Sequence, residues 1–183
     1  MSFLKKIFNS NKDAEIIKET EIPDYVEAAN KSYNKEFDSA IKDLSKQLEN
    51  TSSNDYSKLA MIHINLMQAY FKNRTRHDNY FTLSSEHAKK ALICGHNTGL
   101  APFRLIINLE KEGNLFQAME VCKLVIDNRY YFSPSGYKQK PEFIERLKKL
   151  QKKAEKIEPL NDNPLFTKSE IELAISNSHN VSI

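Results

Sequence analysis

The amino-acid sequence predicts an all-α fold. Apolar residues recur at three- and four-residue steps along most of the chain, and no segment of useful length alternates between apolar and polar residues. Glycine supplies only 4 of the 183 residues, whereas its usual share is about 7 per cent. Hairpins and phosphate-binding loops need glycine at positive φ, and a chain of helices needs few such positions. These observations together favour antiparallel helix pairs.

The chain begins with a polar segment, residues 1–22, that is rich in Lys, Asn and Glu. It ends at Pro23, and we expect partial order there at best. The first helix pair follows, with predicted helices at Asp24–Tyr33 and Glu36–Glu49. The apolar residues of the second helix are three or four positions apart and share one face; they are Phe37, Ala40, Ile41, Leu44 and Leu48.

The second pair is separated from the first by the polar residues 50–55. These supply an N-cap for a long helix that reaches about Asn73. A basic polar loop, residues 73–79, precedes the next predicted helix, Tyr80–Cys94. Gly95 follows directly and is typical of a left-handed C-terminal cap.

The third pair has the clearest boundaries. Its predicted helices are Thr98–Glu112 and Leu115–Asp127, and Gly113 and Asn114 make the turn between them. An aromatic loop follows, with rings at Tyr130, Tyr131, Phe132 and Tyr137. Exposed rings in this loop would mark an interface, whereas rings that fold onto the next helix would serve only to cover it.

The last part of the chain predicts two further helices. A proline suits the first turn of a basic helix that extends to about Lys156. Residues 158–183 are expected to form a C-terminal tail. Within it, Thr167 and Glu170 fit a capping box, which predicts a short helix over residues 168–176.

Parts of the chain resemble the tetratricopeptide repeat, a helix–turn–helix unit of about 34 residues. Residues 65–72 resemble the first helix of the repeat, and residues 85–92 resemble its second helix. Residues 111–118 are similar to the turn between the two helices and to the small residue that follows it. Residues 36–41 carry the same pattern without the glycine, and the family's terminal proline is missing from every unit.

The resemblance implies that the helix pairs stack as a short right-handed solenoid, within a domain that spans residues 23–157. The last long helix would then be a basic C-terminal capping helix that keeps the end of the stack soluble. Its outer lysines are Lys148, Lys149, Lys152, Lys153 and Lys156. A generic helical bundle is the alternative. Neither fold determines a function, because helical repeats serve many unrelated ones.

In a solenoid of this type the first helix of each pair lines the concave face. The predicted groove is formed by Ile64, Asn65, Gln68, Phe71 and Lys72 on one helix and by Leu100, Phe103, Arg104, Ile107 and Lys111 on another. An apolar floor with a polar rim suits an extended or helical peptide. Core packing against the next helix is the alternative for the apolar members.

Two of these residues match positions at which some repeat proteins clamp the C-terminal carboxylate of a peptide. They are Asn65 and Arg104, and they fill only two of the five clamp positions. Tyr25, Ala29 and Leu100 occupy the others. We therefore expect no carboxylate clamp.

Charge is unevenly distributed along the chain. Residues 72–156 contain 17 basic and 9 acidic residues, a net charge of +8, whereas residues 1–71 carry −2 and residues 157–183 carry −3. Four basic side chains crowd the loop after the third helix: Lys72, Arg74, Arg76 and His77. A basic surface would attract nucleic acid or an acidic protein with salt-sensitive affinity. No nucleic-acid-binding motif accompanies the charge, so a solvated basic surface is the favoured interpretation.

The sequence contains no recognisable catalytic or cofactor motif. Phosphate-binding loops and nucleophile elbows need glycines at fixed spacings, which the four glycines do not provide. His87, Cys94 and His96 form the only local group of metal-ligand residues, and a packed histidine and a buried thiol explain them better. Glu110 and Glu112 point apart on a helix and are expected to be solvated. We expect no enzyme, no cofactor and no metal.

The sequence thus predicts a protein–protein interaction module that binds a peptide or a partner protein. An immunity-type protein that neutralises a toxin or nuclease is the alternative, and nucleic-acid binding through residues 72–156 is a third possibility. The apolar stretches are too short to span a bilayer, so we expect no transmembrane segment. The two cysteines form no disulfide framework, which favours a cytoplasmic location.

Overall fold

The computed structural model describes residues 24–127, 140–155 and 163–178, and within these ranges the chain forms eight α-helices and no strand. The all-α prediction is confirmed. The helices are α1 (Asp24–Tyr33), α2 (Phe37–Glu49), α3 (Tyr56–Lys72), α4 (Tyr80–Ile93), α5 (Leu100–Lys111), α6 (Leu115–Asp127), α7 (Lys140–Ala154) and α8 (Lys168–Ser178). Their boundaries agree with the predicted ones to within two residues. The polar segment 1–22, the aromatic loop and Lys156 lie outside the described residues.

Two helices begin at the capping residues that the sequence predicts, and one turn has a left-handed residue without a glycine. The Asp55 carboxylate accepts a hydrogen bond from the Lys58 amide (3.1 Å) and caps α3. Thr167 and Glu170 form the predicted capping box: the Glu170 amide donates to Thr167 Oγ1 (3.2 Å), and the Thr167 amide donates to Glu170 Oε2 (2.8 Å). Lys35 has a φ of 67° in the turn between α1 and α2, where the sequence offers no glycine.

Each helix from α1 to α6 packs against the next one along the chain, α1 also contacts α3, and α8 contacts α4. The buried apolar residues form two clusters. A small cluster, contributed by α1, α2 and α3, contains Ala28, Leu44, Ile62 and Leu66. A much larger cluster extends from α3 to α8 and includes Phe143 and Leu150 of α7. Helix α3 therefore supplies side chains to both clusters, from different sides of the same helix.

The described part of the predicted C-terminal tail packs on α4 and α6. The Glu120 carboxylate of α6 accepts hydrogen bonds from the amides of Leu165 and Phe166 (2.8 and 3.2 Å). Lys89 of α4 forms an ion pair with Glu170 (3.0 Å), and the Phe166 ring is buried. The predicted domain boundary at residues 157 and 158 stays a prediction, but α8 is joined to the body of helices by these contacts.

Gly95 is where the C-terminal end of α8 meets the rest of the chain. Its φ is 87°, and it ends α4 as predicted, with its amide donating to the Leu92 carbonyl (2.9 Å). A methyl group at this position would lie 2.7 Å from the carbonyl oxygen of Asn177. Asn177 in turn donates to the Ile93 carbonyl (2.9 Å). Gly95 therefore allows both the left-handed turn and the close approach of α8.

No helix within the described ranges has the combined length and apolar character needed to cross a membrane.

A pair of glycine substitutions tests this arrangement. Gly113 has a φ of 82° and no atom within 4 Å of the site of a Cβ, so Gly113→Ala should cost about 1–2 kcal/mol of stability from the backbone alone. Gly95→Ala carries the same backbone cost and also displaces α8, so it should cost at least about 1 kcal/mol more. Urea denaturation of the two variants measures the difference, and equal losses would show that α8 does not pack against Gly95.

Candidate functional site

The predicted groove residues lie on α3 and α5, but they do not all face outward. Ile64 has only 4% of its surface exposed and belongs to the large buried cluster. Asn65 is half-buried, and its amide donates to the Met61 carbonyl of the same helix (2.9 Å). Gln68 is half-buried as well. Ile64 is therefore part of the core, and the outward face of α3 begins with Asn65 and Gln68.

The face continues on α5. Leu100, Phe103 and Ile107 are half-buried and form its apolar part, and the ends of the two helices contribute the exposed Lys72 and Lys111. The Phe103 ring packs edge-on against Phe143 of α7, with 6.1 Å between ring centroids. Phe103 thus joins the face to α7.

Five residues at one end of this face form a contiguous group, here called the basic–aromatic cluster: Phe71, Arg74, Phe81, Arg104 and Lys111. The guanidinium carbon of Arg104 lies 3.4 Å from the centroid of the Phe71 ring, and that of Arg74 lies 4.3 Å from it. Phe81 meets Phe71 edge to face at 6.0 Å, and the ammonium of Lys111 lies 5.2 Å from the Phe81 centroid. Three cations and two rings thus stand together, with Lys111 exposed and the other four residues half-buried.

Three members of the cluster, Phe71, Arg104 and Lys111, are among the site residues predicted from the sequence, whereas Arg74 is predicted only as part of a basic loop. Phe81 is not among the predicted residues. This residue lies in the first turn of α4, a second helix of a pair, and the predicted groove contained only first helices. The loop between α3 and α4, residues 73–79, is short and brings the end of α3 close to the start of α4. This loop length is the feature of the sequence from which the position of Phe81 could be predicted.

A buried hydrogen-bonded bridge positions the cluster. The Ser84 hydroxyl of α4 donates to the Met67 carbonyl of α3 (3.0 Å) and accepts from the Asn108 amide of α5 (3.1 Å). Ser84 and Asn108 are fully buried. Phe71, Phe81 and Arg104 each lie one helical turn from a residue of this bridge. The bridge therefore fixes the distance between the three helix segments that carry the cluster.

Adjacent serines provide a matched test of the bridge. Ser84→Ala removes a buried hydrogen bond and leaves the Asn108 amide and the Met67 carbonyl without this partner, so it should cost about 1–3 kcal/mol of stability. Ser85 donates only to the Phe81 carbonyl of its own helix (3.1 Å), so Ser85→Ala should change stability by less than about 0.5 kcal/mol. Urea denaturation distinguishes the two. Similar small losses in both variants would mean that the bridge contributes little.

Glu110 is not solvated as predicted. Its carboxylate forms ion pairs with Arg146 and Lys153 of α7, and only 14% of its side chain is exposed. It lies at the edge of a pocket of about 700 Å³ between α7 and the turn that joins α5 to α6. The pocket is lined by Glu110, Gly113, Leu115, Arg146, Lys149, Lys152 and Lys153. The prediction failed because the partners of Glu110 are 36 and 43 residues away in sequence.

The basic loop between α3 and α4 is attached to the first helix pair. The Asp38 carboxylate of α2 accepts a hydrogen bond from the Asn73 amide (2.8 Å) and forms an ion pair with Arg76. Arg74 instead turns back toward α3, where its guanidinium donates to the Phe71 carbonyl (2.8 Å). Of the two arginines in the loop, one therefore joins helices and the other belongs to the cluster.

His87, which the sequence predicts to pack in the core, packs there against a second histidine, His63. The Nδ1 atoms of His63 and His87 are 3.0 Å apart, and the Tyr70 ring stacks on His87. Because one Nδ1 must donate and the other accept, the two rings cannot both be protonated while this hydrogen bond is made. Within residues 24–127, 140–155 and 163–178, no three His, Cys, Asp or Glu side chains are grouped as metal ligands would be. His96 instead contacts the Thr98 hydroxyl (3.3 Å).

Burial opposes protonation of all three histidines. It lowers the pKa of His63 to about 4 and that of His96 to about 4. For His87, burial and the neighbouring His63 lower the pKa to about 3. The positive charge of Lys90 acts in the same direction on His63 and His87. Burial also raises the pKa of Cys94 to about 11, so this thiol stays protonated near neutral pH.

These pKa values predict a protein that loses stability in mild acid. In the unfolded chain the histidines take up protons below their ordinary pKa of about 6.5, whereas in the folded chain they stay neutral until pH 4 or 3. The contribution is therefore complete above pH 6.5 and is lost as the pH falls. Between pH 6.5 and 5 the free energy of unfolding should decrease by roughly 1–2 kcal/mol for each histidine.

Urea denaturation at several pH values measures this loss. The double variant His63→Leu/His87→Leu replaces both partners by apolar side chains and should show a shallower decrease with pH, because only His96 then contributes. The same slope in both proteins would mean that other groups cause the acid sensitivity.

No protein-family model matches the chain, and neither a curated protein nor a solved structure matches it.

Proposed function

We propose that this protein is a protein–protein interaction module that binds a peptide segment of its partner on the face formed by α3 and α5. The proposed architecture is a short right-handed solenoid of tetratricopeptide-like helix pairs, with α7 as a basic capping helix. The contacts between alternate helices support this arrangement. Helix α1 contacts α3, and α5 contacts α7 through the Phe103–Phe143 ring pair and the Glu110–Arg146 ion pair.

The observation that carries the proposal is the basic–aromatic cluster. Arginine and aromatic side chains contribute most of the binding energy in many protein interfaces. Here they stand together on a face that also has an apolar part and polar side chains around it. A buried bridge positions the three helices beneath the cluster, so the face is formed before a partner arrives. A preformed site loses less conformational entropy on binding.

The charge of the face favours an interaction module over an inhibitor of nucleases. A protein that covers the cationic active site of a nuclease would present carboxylates, as electrostatic complementarity requires. The cluster presents Arg74, Arg104 and Lys111 instead. A cytoplasmic location is part of the proposal and is supported by the free, buried state of Cys94 and Cys122.

The proposal is tested by crosslinking and by variants of the face. With a photoreactive amino acid in place of the half-buried Gln68, the protein should crosslink to a specific partner in an extract of its native cells. Phe71→Ala/Ile107→Ala should reduce capture of that partner about tenfold or more, because both side chains lie on the proposed face. The matched control is Phe116→Ala/Leu173→Ala, which truncates two side chains that are 37% and 39% exposed on other helices. If only the control pair reduces capture, the binding face is elsewhere.

A further inference from the structure

We propose that the partner segment bound at the basic–aromatic cluster is acidic and internal to the partner's chain. This inference rests on the proposed function and specifies its ligand. The chemistry that recognises it is the interaction of aspartate or glutamate carboxylates with the Arg74 guanidinium and the Lys111 ammonium of the cluster.

The cations of the cluster repel one another. Arg74 and Arg104 both lie within 4.3 Å of one ring centroid. Two like charges that are at most about 8 Å apart raise each other's energy unless an anion or solvent screens them. A carboxylate that approaches Arg74 from solvent would lower that repulsion, and a neutral or basic segment would not.

Arg74 and Lys111 differ from other cations of the protein in their partners. Several of them form ion pairs with a carboxylate of the chain: Lys31 with Asp43, Arg76 with Asp38, Lys89 with Glu170, and Arg146 and Lys153 with Glu110. Within the described ranges, no carboxylate forms an ion pair with Arg74 or Lys111. These two charges are directed at the surface beside the rings, where a partner's carboxylates could approach them.

The cluster favours a peptide over single-stranded nucleic acid. Nucleic-acid bases bind such proteins by stacking on exposed aromatic faces. The Phe71 ring already has guanidinium carbons at 3.4 and 4.3 Å from its centroid, and Phe81 contacts it edge to face. The guanidinium groups therefore occupy the space above the ring that a stacked base would need. The remaining N–H groups of Arg74 suit carboxylates, which accept two hydrogen bonds from one arginine.

The segment is internal because the face does not form a clamp for a chain terminus. The Asn65 amide donates to the Met61 carbonyl of its own helix. Leu100 supplies an apolar side chain at another position where a clamp would need a polar one.

Fluorescence anisotropy with a labelled, glutamate-rich peptide whose C-terminus is amidated tests the inference. We expect binding at low salt that weakens as the salt concentration rises. Arg74→Glu/Lys111→Glu should weaken it about tenfold or more. The matched control, Lys90→Glu/Lys123→Glu, makes the same change in net charge at exposed positions of α4 and α6 and should bind like the unmodified protein. Because Arg74 also contacts the end of α3, the single variant Lys111→Glu serves as a second test that does not alter this contact.

Several results would overturn the inference. One is no binding of the peptide at low salt. Another is an equal loss in the control variant, which would indicate non-specific attraction to a basic protein. Tighter binding of labelled oligouridylate, lost in Arg74→Glu/Lys111→Glu, would identify nucleic acid as the ligand. A requirement for a free C-terminal carboxylate would exclude an internal segment.

The same variants separate this inference from the proposed function. If the crosslinked partner is lost in Phe71→Ala/Ile107→Ala but retained in Arg74→Glu/Lys111→Glu, the face binds a protein but does not select an acidic segment. If the crosslinked partner is retained in both variants while the glutamate-rich peptide still binds the cluster, the cluster binds acidic segments but is not the site used by that partner.

Discussion

The exposed face depends on one buried hydrogen-bonded bridge. Through Ser84, the bridge joins the backbone of α3 to a side chain of α5 across α4. Small residues around it, including Ala88 and Ala91, are fully buried and let the three helices approach closely. In this apolar surrounding, the Ser84 hydroxyl and the Asn108 side-chain nitrogen need the partners that the bridge gives them. The position of Phe71 relative to Arg104 at the surface is therefore a consequence of hydrogen bonds in the interior.

The strong positive charge of the middle of the chain has two roles. Part of it joins helices: Arg76 binds α2, Lys89 binds α8, and Arg146 with Lys153 binds α5. Such half-exposed ion pairs contribute little stability, but they fix which helix faces meet. Among the described residues, three further cations lie beside the two rings of the basic–aromatic cluster. The net charge of the segment alone does not distinguish the two roles.

Most of the helices could be predicted from the sequence because their periodicity and end signals are local. Asp55, Gly95 and Gly113 mark boundaries within a few residues of where they act. The contacts that build the site are not local. The pairing of His63 with His87 and the ion pairs of Glu110 depend on which faces of distant helices meet. Periodicity gives the face that a helix buries, but not the residue that it meets there.

Within the described residues, the smaller of the two apolar clusters, with four buried residues, joins the first helix pair to α3. Segments with few buried contacts open more often than the core does, without global unfolding. Asp38 of this pair also holds the loop that carries Arg74, through Asn73 and Arg76. Opening of the first pair would release Asn73 and Arg76 from Asp38. Of the five cluster residues only Arg74 lies in that loop, so local unfolding of α1 and α2 would loosen one cation of the cluster while the Ser84 bridge still holds the helices that carry the others.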